Sequence, residues 1–140
     1  MEIKRKFMSN LFSNQIHHIA IISSDYQRSK YFYNQILGFK IIREVYREER
    51  QSYKLDLKIN DFSAIELFSF PFTPPRPSTP EACGLRHLAF QVDNLEVVIK
   101  RLNSFNIEVE DIRIDEFTAC RFTFFKDPDG LPLEIYEITN

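Results

Sequence analysis

His18-Ile19-Ala20-Ile21 and, 69 residues further on, His87-Leu88-Ala89-Phe90 are variants of one pattern, and their repetition decides how the chain is read. A second echo supports the first. Ile65-Glu66-Leu67 is matched by Leu133-Glu134-Ile135 at an offset of 68, so two separate stretches repeat at nearly one spacing, which is the mark of internal duplication. Each half therefore has a His in its opening strand and a Glu in its closing strand.

Working outward, the segment from Ile16 to Ile22 is an apolar run bounded by Ser23, Ser24 and Asp25 and reads as a buried strand. Ser24 or Asp25 caps a following helix that carries Phe32, Tyr33 and Leu37, and Gly38 stands where a left-handed residue ends it. Strand-like runs follow near 39–46, 52–59 and 63–70. The second half repeats the order with a strand at 86–92 and a helix capped by Asn94, with Leu95, Val98, Ile99 and Leu102 on one stripe. Strands near 107–113, 120–125 and 132–138 complete it, the last two separated by the turn Asp127-Pro128-Asp129-Gly130. The expected fold is α+β: two βαβββ modules forming a curved sheet around a shared cleft.

Between the halves, residues 71–80 hold five of the seven prolines and cannot join a ladder. The division that follows is an N-terminal extension at 1–14, a first module at 15–70, a Pro-rich linker at 71–84 and a second module at 85–140, all within one domain of 140 residues.

Composition narrows the function. Fourteen Phe and six Tyr suffice for a core and an apolar cleft, and a net charge of −2 with both signs interspersed leaves no basic stripe for nucleic acid. No apolar run approaches the roughly 20 residues of a membrane span, and no signal-like segment follows Lys4, Arg5 and Lys6, so a cytoplasmic location is expected. Cys83 and Cys120 read as reduced thiols in small buried sites.

A carboxylate in the middle of an apolar strand needs a partner, because burying it alone costs several kcal/mol. Glu66 lies among Ile65, Leu67 and Phe68, and Glu134 among Leu133, Ile135 and Tyr136. On strand alternation Glu66 shares a face with Phe68 and Phe70, and Glu134 with Tyr136, so both look into an aromatic cleft. One His on an apolar strand is more often a satisfied core residue; four ligand-type residues in register across a repeat point instead to metal. If the modules pack about a pseudo-twofold axis, His18, Glu66, His87 and Glu134 converge on one divalent ion, and an N₂O₂ set suits Zn, Ni, Co or Mn. His17 lacks a repeat partner and is expected on the opposite face. Arg76 and Arg86 read as solvated charge.

At these residues the chain resembles the vicinal oxygen chelate superfamily, and within it glyoxalase I, or lactoylglutathione lyase, from about Gln15 to Ile138. The residues that carry the likeness are His18-x-Ala20, Phe32-Tyr33 with Leu37-Gly38-Phe39, Ile65-Glu66-Leu67, His87-x-Ala89-Phe90, and Asp127-Pro128-Asp129-Gly130 with Leu133-Glu134. The stretches 66–71 and 80–87 are closer still to a bacterial glyoxalase-like subgroup.

The resemblance implies a metal-dependent lyase or isomerase that acts on a small oxygenated substrate through a metal-stabilised enediolate. Glu134 is the first choice for the catalytic base and Glu66 its symmetric alternative. The linker and chain length permit the modules to close on each other within one chain or to pair with those of a second; the small surface of 140 residues and the resemblance together favour a homodimer whose two sites each take His18 and Glu66 from one chain and His87 and Glu134 from the other. Where the family has an arginine four residues after the first His, this chain has Ile22; where it has an asparagine four residues after the first Glu, this chain has Phe70. Glutathione dependence is therefore expected to be weak. Ring-cleaving dioxygenation and thiol transfer to an antibiotic normally use three protein ligands, and coenzyme A thioester epimerisation normally has Gln at the Glu66 position. A sequestering protein of the same fold, binding a small molecule without turnover, is the alternative from another class.

Overall fold

The computed structural model describes residues 11–139, so most of the expected extension at 1–14 lies outside the described residues. Two four-stranded sheets carry the chain. The first is built from β1 (His18–Ser23), β2 (Lys40–Arg47), β3 (Ser52–Lys58) and β4 (Ala64–Ser69), in the order β1-β4-β3-β2. The second is built from β5 (Leu88–Val92), β6 (Arg113–Ile114), β7 (Arg121–Lys126) and β8 (Pro132–Glu137), in the order β5-β8-β7-β6. In each, the opening strand pairs parallel to the closing one and the other pairings are antiparallel. A helix crosses over between the first and second strands of each sheet: α1 (Tyr26–Tyr31) and α2 (Leu95–Ser104). This is the α+β, twofold βαβββ arrangement that the repeat foretold.

The caps and turns follow local chemistry. Asp25 accepts from the Arg28 N–H at 3.2 Å and Asn94 from the Val97 N–H at 3.1 Å, each closing one orphan donor of its helix. Gly130 takes φ +85° in the last turn and Gly38 takes φ +83° after the first helix, a region that costs glycine little. Between α1 and Gly38 the chain widens into a π turn, Phe32–Ile36, in which the Leu37 N–H reaches the Phe32 carbonyl at 2.9 Å. The wider turn puts Ile36 beside Phe32 and Tyr33 in the core and leaves Leu37 only partly buried, where ordinary helical spacing had favoured Leu37.

The core lies between the helices and the inner faces of both sheets. Tyr33, Leu55, Leu57, Ile65, Leu67, Leu95 and Leu133 are fully buried, each apolar side chain contributing roughly 1.5–3 kcal/mol by leaving water. The halves are joined through this core: Phe32 packs on Phe125 and Phe39 on Phe90, with ring centroids 6.3 and 5.3 Å apart. Arg101 on α2 donates from Nε to the Ile36 carbonyl at 2.7 Å and from Nη2 to that of Gln35 at 2.8 Å, capping the end of the first helical segment.

Several expectations need correction. β1 is buried on one face only: Ile21 and Ser23 face the core, whereas Ile22 is 56% exposed on the face that carries His18. The strand expected at 107–113 is reduced to Arg113–Ile114, because most of the preceding segment runs outside the ladder. Cys83 is exposed and Cys120 half-buried, and neither is bridged. Among the described residues no helix is long and apolar enough to cross a membrane.

Candidate metal centre

Strand register places the ligand-type residues. β1 and β4 run parallel with His18 opposite Ala64 and Ala20 opposite Glu66, so His18, Ala20, Glu66 and Phe68 share one outward face. In the second sheet Ala89 stands opposite Glu134 in the same way. The alanine of the His-x-Ala pattern thus has a steric reason: a longer side chain at Ala20 or Ala89 would crowd the carboxylate beside it. His18 Nε2 lies 3.1 Å from Glu66 Oε2, and His87 Nε2 lies 3.0 Å from Glu134 Oε2. The glutamate side chains are only 16% and 13% exposed, less than the imidazoles they face.

The donor set fits a divalent ion. Two ligand atoms about 2.0–2.2 Å from one ion, in adjacent octahedral positions, stand about 3 Å apart, which is the separation in each His–Glu pair. The same separation allows the imidazole to donate a hydrogen bond to the carboxylate, so the pairs are satisfied either way.

Within one chain the four residues form two pairs rather than one cluster. His18 and Glu66 line one pocket and His87 and Glu134 another, with no lining residue in common. Among the described residues no group of three His, Cys, Asp or Glu side chains could hold an ion.

The surroundings differ between the halves. Around Glu134 the expected aromatic lining is present: Phe124 is its register partner, Phe122 stacks on Tyr136 at 6.2 Å, and His87 sits edge-on to Phe124 at 5.1 Å. Arg113 lies over both Phe122 and Phe124, 5.2 Å from each centroid, a cation–π arrangement that fixes it at the pocket wall. Around Glu66, Phe68 and Phe70 stack at 6.3 Å, but β3 adds Lys54 and Asp56 to the same face. Arg43 donates to Asp56 Oδ2 from Nε at 3.2 Å and from Nη2 at 2.9 Å. Lys54, Asp56, Arg43 and Arg113 were not singled out in the sequence, since none of them has a ligand-type counterpart in the repeat. Their signal was positional: Asp56 and Lys54 sit at strand alternation in 52–59, two residues apart.

Two residues behave differently from expectation. His17 lies on the His18 side, not the opposite one: it precedes β1, strand alternation does not govern it, and its Nδ1 is 2.8 Å from His18 Nδ1. It can accept from or donate to the ring nitrogen that His18 leaves free, orienting that imidazole. Arg76 is no solvated charge either. Its guanidinium donates to Ser78 Oγ at 2.9 Å and to the Arg86 carbonyl at 3.0 Å, pinning the linker beside His87.

Comparison with known proteins agrees with this architecture. The family model described as the glyoxalase/bleomycin resistance protein/dioxygenase superfamily matches residues 15–135. The uncharacterized protein YaeR of Escherichia coli (strain K12) is 62% identical over 123 residues, covering 88% of this chain and 95% of that one. The uncharacterized protein YwkD of Bacillus subtilis (strain 168) is 61% identical over 122 residues, covering 87% and 95%. Among solved structures, a glyoxalase family protein from Enterococcus faecalis is 51% identical with a TM-score of 0.84, covering 91% of this chain and all of that one. The chain belongs to the glyoxalase/bleomycin resistance protein/dioxygenase superfamily.

Proposed function

We propose that this protein is a metal-dependent lyase or isomerase of glyoxalase type, acting on a small oxygenated substrate in a homodimer with two shared sites. One observation carries the reading: two His–Glu pairs, at equivalent register in duplicated sheets, each with its nitrogen and oxygen about 3 Å apart and each open on one side. A pair supplies half of an N₂O₂ set, so a complete set needs the first face of one chain to meet the second face of another. Ile22 and Ile42, exposed on the first sheet, supply apolar surface for such a contact.

In that site His18 and Glu66 of one protomer, with His87 and Glu134 of its partner, would hold Zn, Ni, Co or Mn. Bound there, the ion supplies Lewis acidity toward neighbouring substrate oxygens. Glu134 would take the proton from the carbon that bears one of those oxygens and return it to the neighbouring carbon that bears the other. It lies against Phe124 and Tyr136, which exclude water, and its carboxylate has no Lys or Arg within ion-pair distance among the described residues. Glu66, by contrast, has its second oxygen 3.5 Å from Lys54 and is better suited to holding charge. Tyr136 is itself fixed by donating to Asp115 Oδ2 at 3.0 Å.

The test is metal analysis of protein purified without added metal, followed by a panel of 2-oxoaldehydes and hemithioacetals made with several thiols. Turnover that tracks the bound ion and is lost in Glu134→Gln supports the reading. Tight substrate binding with no turnover and no solvent exchange of the carbon-bound proton assigns the sequestering function instead.

A further inference from the structure

Lys54 stands beside Glu66 in a way the duplicated fold does not require. On β3 it is paired with Phe68, two residues past Glu66; in the second sheet the corresponding partner of Tyr136, two residues past Glu134, is Phe122. The same position is thus filled by an aromatic in one half and an ammonium in the other. The ammonium is 3.5 Å from Glu66 Oε1 and 3.6 Å from Asp56 Oδ1, its side chain is only 29% exposed, and it makes no hydrogen bond among the described residues. Asp56 Oδ1, although buried, has no hydrogen-bond partner either. Asp56 is already held through its other oxygen by both Arg43 contacts. Lys54 therefore stands between two carboxylates, Glu66 and the otherwise unpartnered oxygen of Asp56, at nearly equal distances and outside hydrogen-bond reach of both.

Once the charge of Glu66 is engaged by a divalent ion, Lys54 keeps only Asp56 Oδ1 at 3.6 Å as a counter-charge, and its donors, none of them in a hydrogen bond among the described residues, are available at the edge of the chelating site. We infer that Lys54 determines specificity by taking a carboxylate: the substrate is a small hydroxy- or oxo-carbonyl compound whose vicinal oxygen pair adjoins a carboxylate group. This inference rests on the proposed metal site. Arg113, held over Phe122 and Phe124 in the second half-site, adds positive charge to the assembled cleft, in keeping with an anionic ligand.

The alternative role, in which Lys54 only balances Glu66, makes the opposite forecast for metal: removing a competing cation would tighten the ion and leave ligand choice alone. The experiment uses the full chain loaded with Mn(II). Free Mn(II) is read by electron paramagnetic resonance, and ligand binding by the loss of water-proton relaxation enhancement. Hydroxypyruvate and hydroxyacetone are the probes, since they offer the same hydroxy-ketone oxygens and differ in a carboxylate against a methyl.

In Lys54→Met, and in Lys54→Gln should the first fold poorly, hydroxypyruvate affinity is expected to fall about tenfold or more, the scale of one charge-assisted hydrogen bond, with hydroxyacetone unchanged. Lys54→Arg restores most of the discrimination. An unchanged ratio of the two affinities in Lys54→Met, with Mn(II) still bound, overturns the lysine's role and leaves the metal site standing. Loss of Mn(II) from Lys54→Met overturns it too, by making the residue a support for Glu66. Failure of the wild type to bind Mn(II), or equal binding by His87→Ala, overturns the site reading and this inference with it.

Discussion

The hydroxyl of Tyr33 donates to Asp127 Oδ2 at 2.7 Å, joining the first helical segment to the last turn of the second half across 94 residues of sequence. Both groups are buried, and the other oxygen of Asp127 accepts from the N–H groups of Asp129 and Leu131 at 2.9 Å each. The carboxylate that fixes the Asp-Pro-Asp-Gly turn is therefore also the anchor between modules.

Tyr33→Phe is expected to cost about 1–3 kcal/mol, because it leaves Asp127 buried without one of its partners. The corresponding fall in Tm is roughly 5–15 °C in a thermal melt followed by circular dichroism. Burial pushes the Asp127 carboxyl up, while the Tyr33 hydrogen bond pulls it back. A raised acid contributes most below its ordinary value and loses that contribution as pH rises through the raised one. The mutant should thus lose more stability than the wild type as pH rises through this range.

A second pH effect runs the other way. Arg121 donates to Glu96 Oε2 at 2.8 Å and to Glu137 at 2.9 and 2.8 Å, while Glu137 Oε2 accepts from the Leu95 N–H at 2.8 Å. These contacts tie α2 to the second sheet. The Arg121 hydrogen bonds lower the carboxyl of Glu96 from 4.5 to about 2 and lower that of Glu137 as well. Lowered acids stabilise above their ordinary value and cease to do so as pH falls through the lowered one. Tm of the wild type should fall between pH 4.5 and pH 2; Arg121→Met should start lower at pH 7 and fall less over the same interval. Parallel curves would contradict the assignment.

Ala at His18, Glu66, His87 or Glu134 is expected to abolish stoichiometric metal binding. His17→Ala should weaken it by roughly ten- to hundredfold through loss of the partner on His18 Nδ1. Mixing His18→Ala with Glu134→Ala chains separates shared from self-contained sites. In a shared-site dimer the heterodimer puts both defects in one site and leaves the other whole, so about one quarter of all sites return after random exchange. No recovery after verified exchange would rule out sharing.

Turnover of the methylglyoxal–glutathione hemithioacetal should be poor. Ile22 lies exposed on the His18 face and Phe70 stacks on Phe68, so neither supplies a charge or an amide for the thiol cofactor. Ile22→Arg with Phe70→Asn is expected to raise kcat/KM for that substrate by roughly tenfold or more if those positions face it. Efficient turnover by the unaltered chain would show that the two changes do not govern thiol choice.

The sequence by itself determined the duplicated βαβββ order, because strand alternation, helix caps and turn glycines are local and the repeat supplied each pattern twice. Asp25, Asn94, Gly38 and Gly130 all play the parts their neighbours in sequence dictate. The pairing of His18 with Glu66 and of His87 with Glu134 was legible for the same reason. Only the tertiary structure decided what surrounds those pairs. Lys54 and Asp56 come to Glu66, and Arg113 to Phe122 and Phe124, through the registers of β3 against β4 and of β6 against β7. His17 joins His18 because it precedes the strand and escapes its alternation. With Phe32, Phe125, Leu95 and Tyr33 of both halves buried in one core, the His–Glu pairs are left in separate pockets. No periodicity records that choice: it depends on how two complete modules meet.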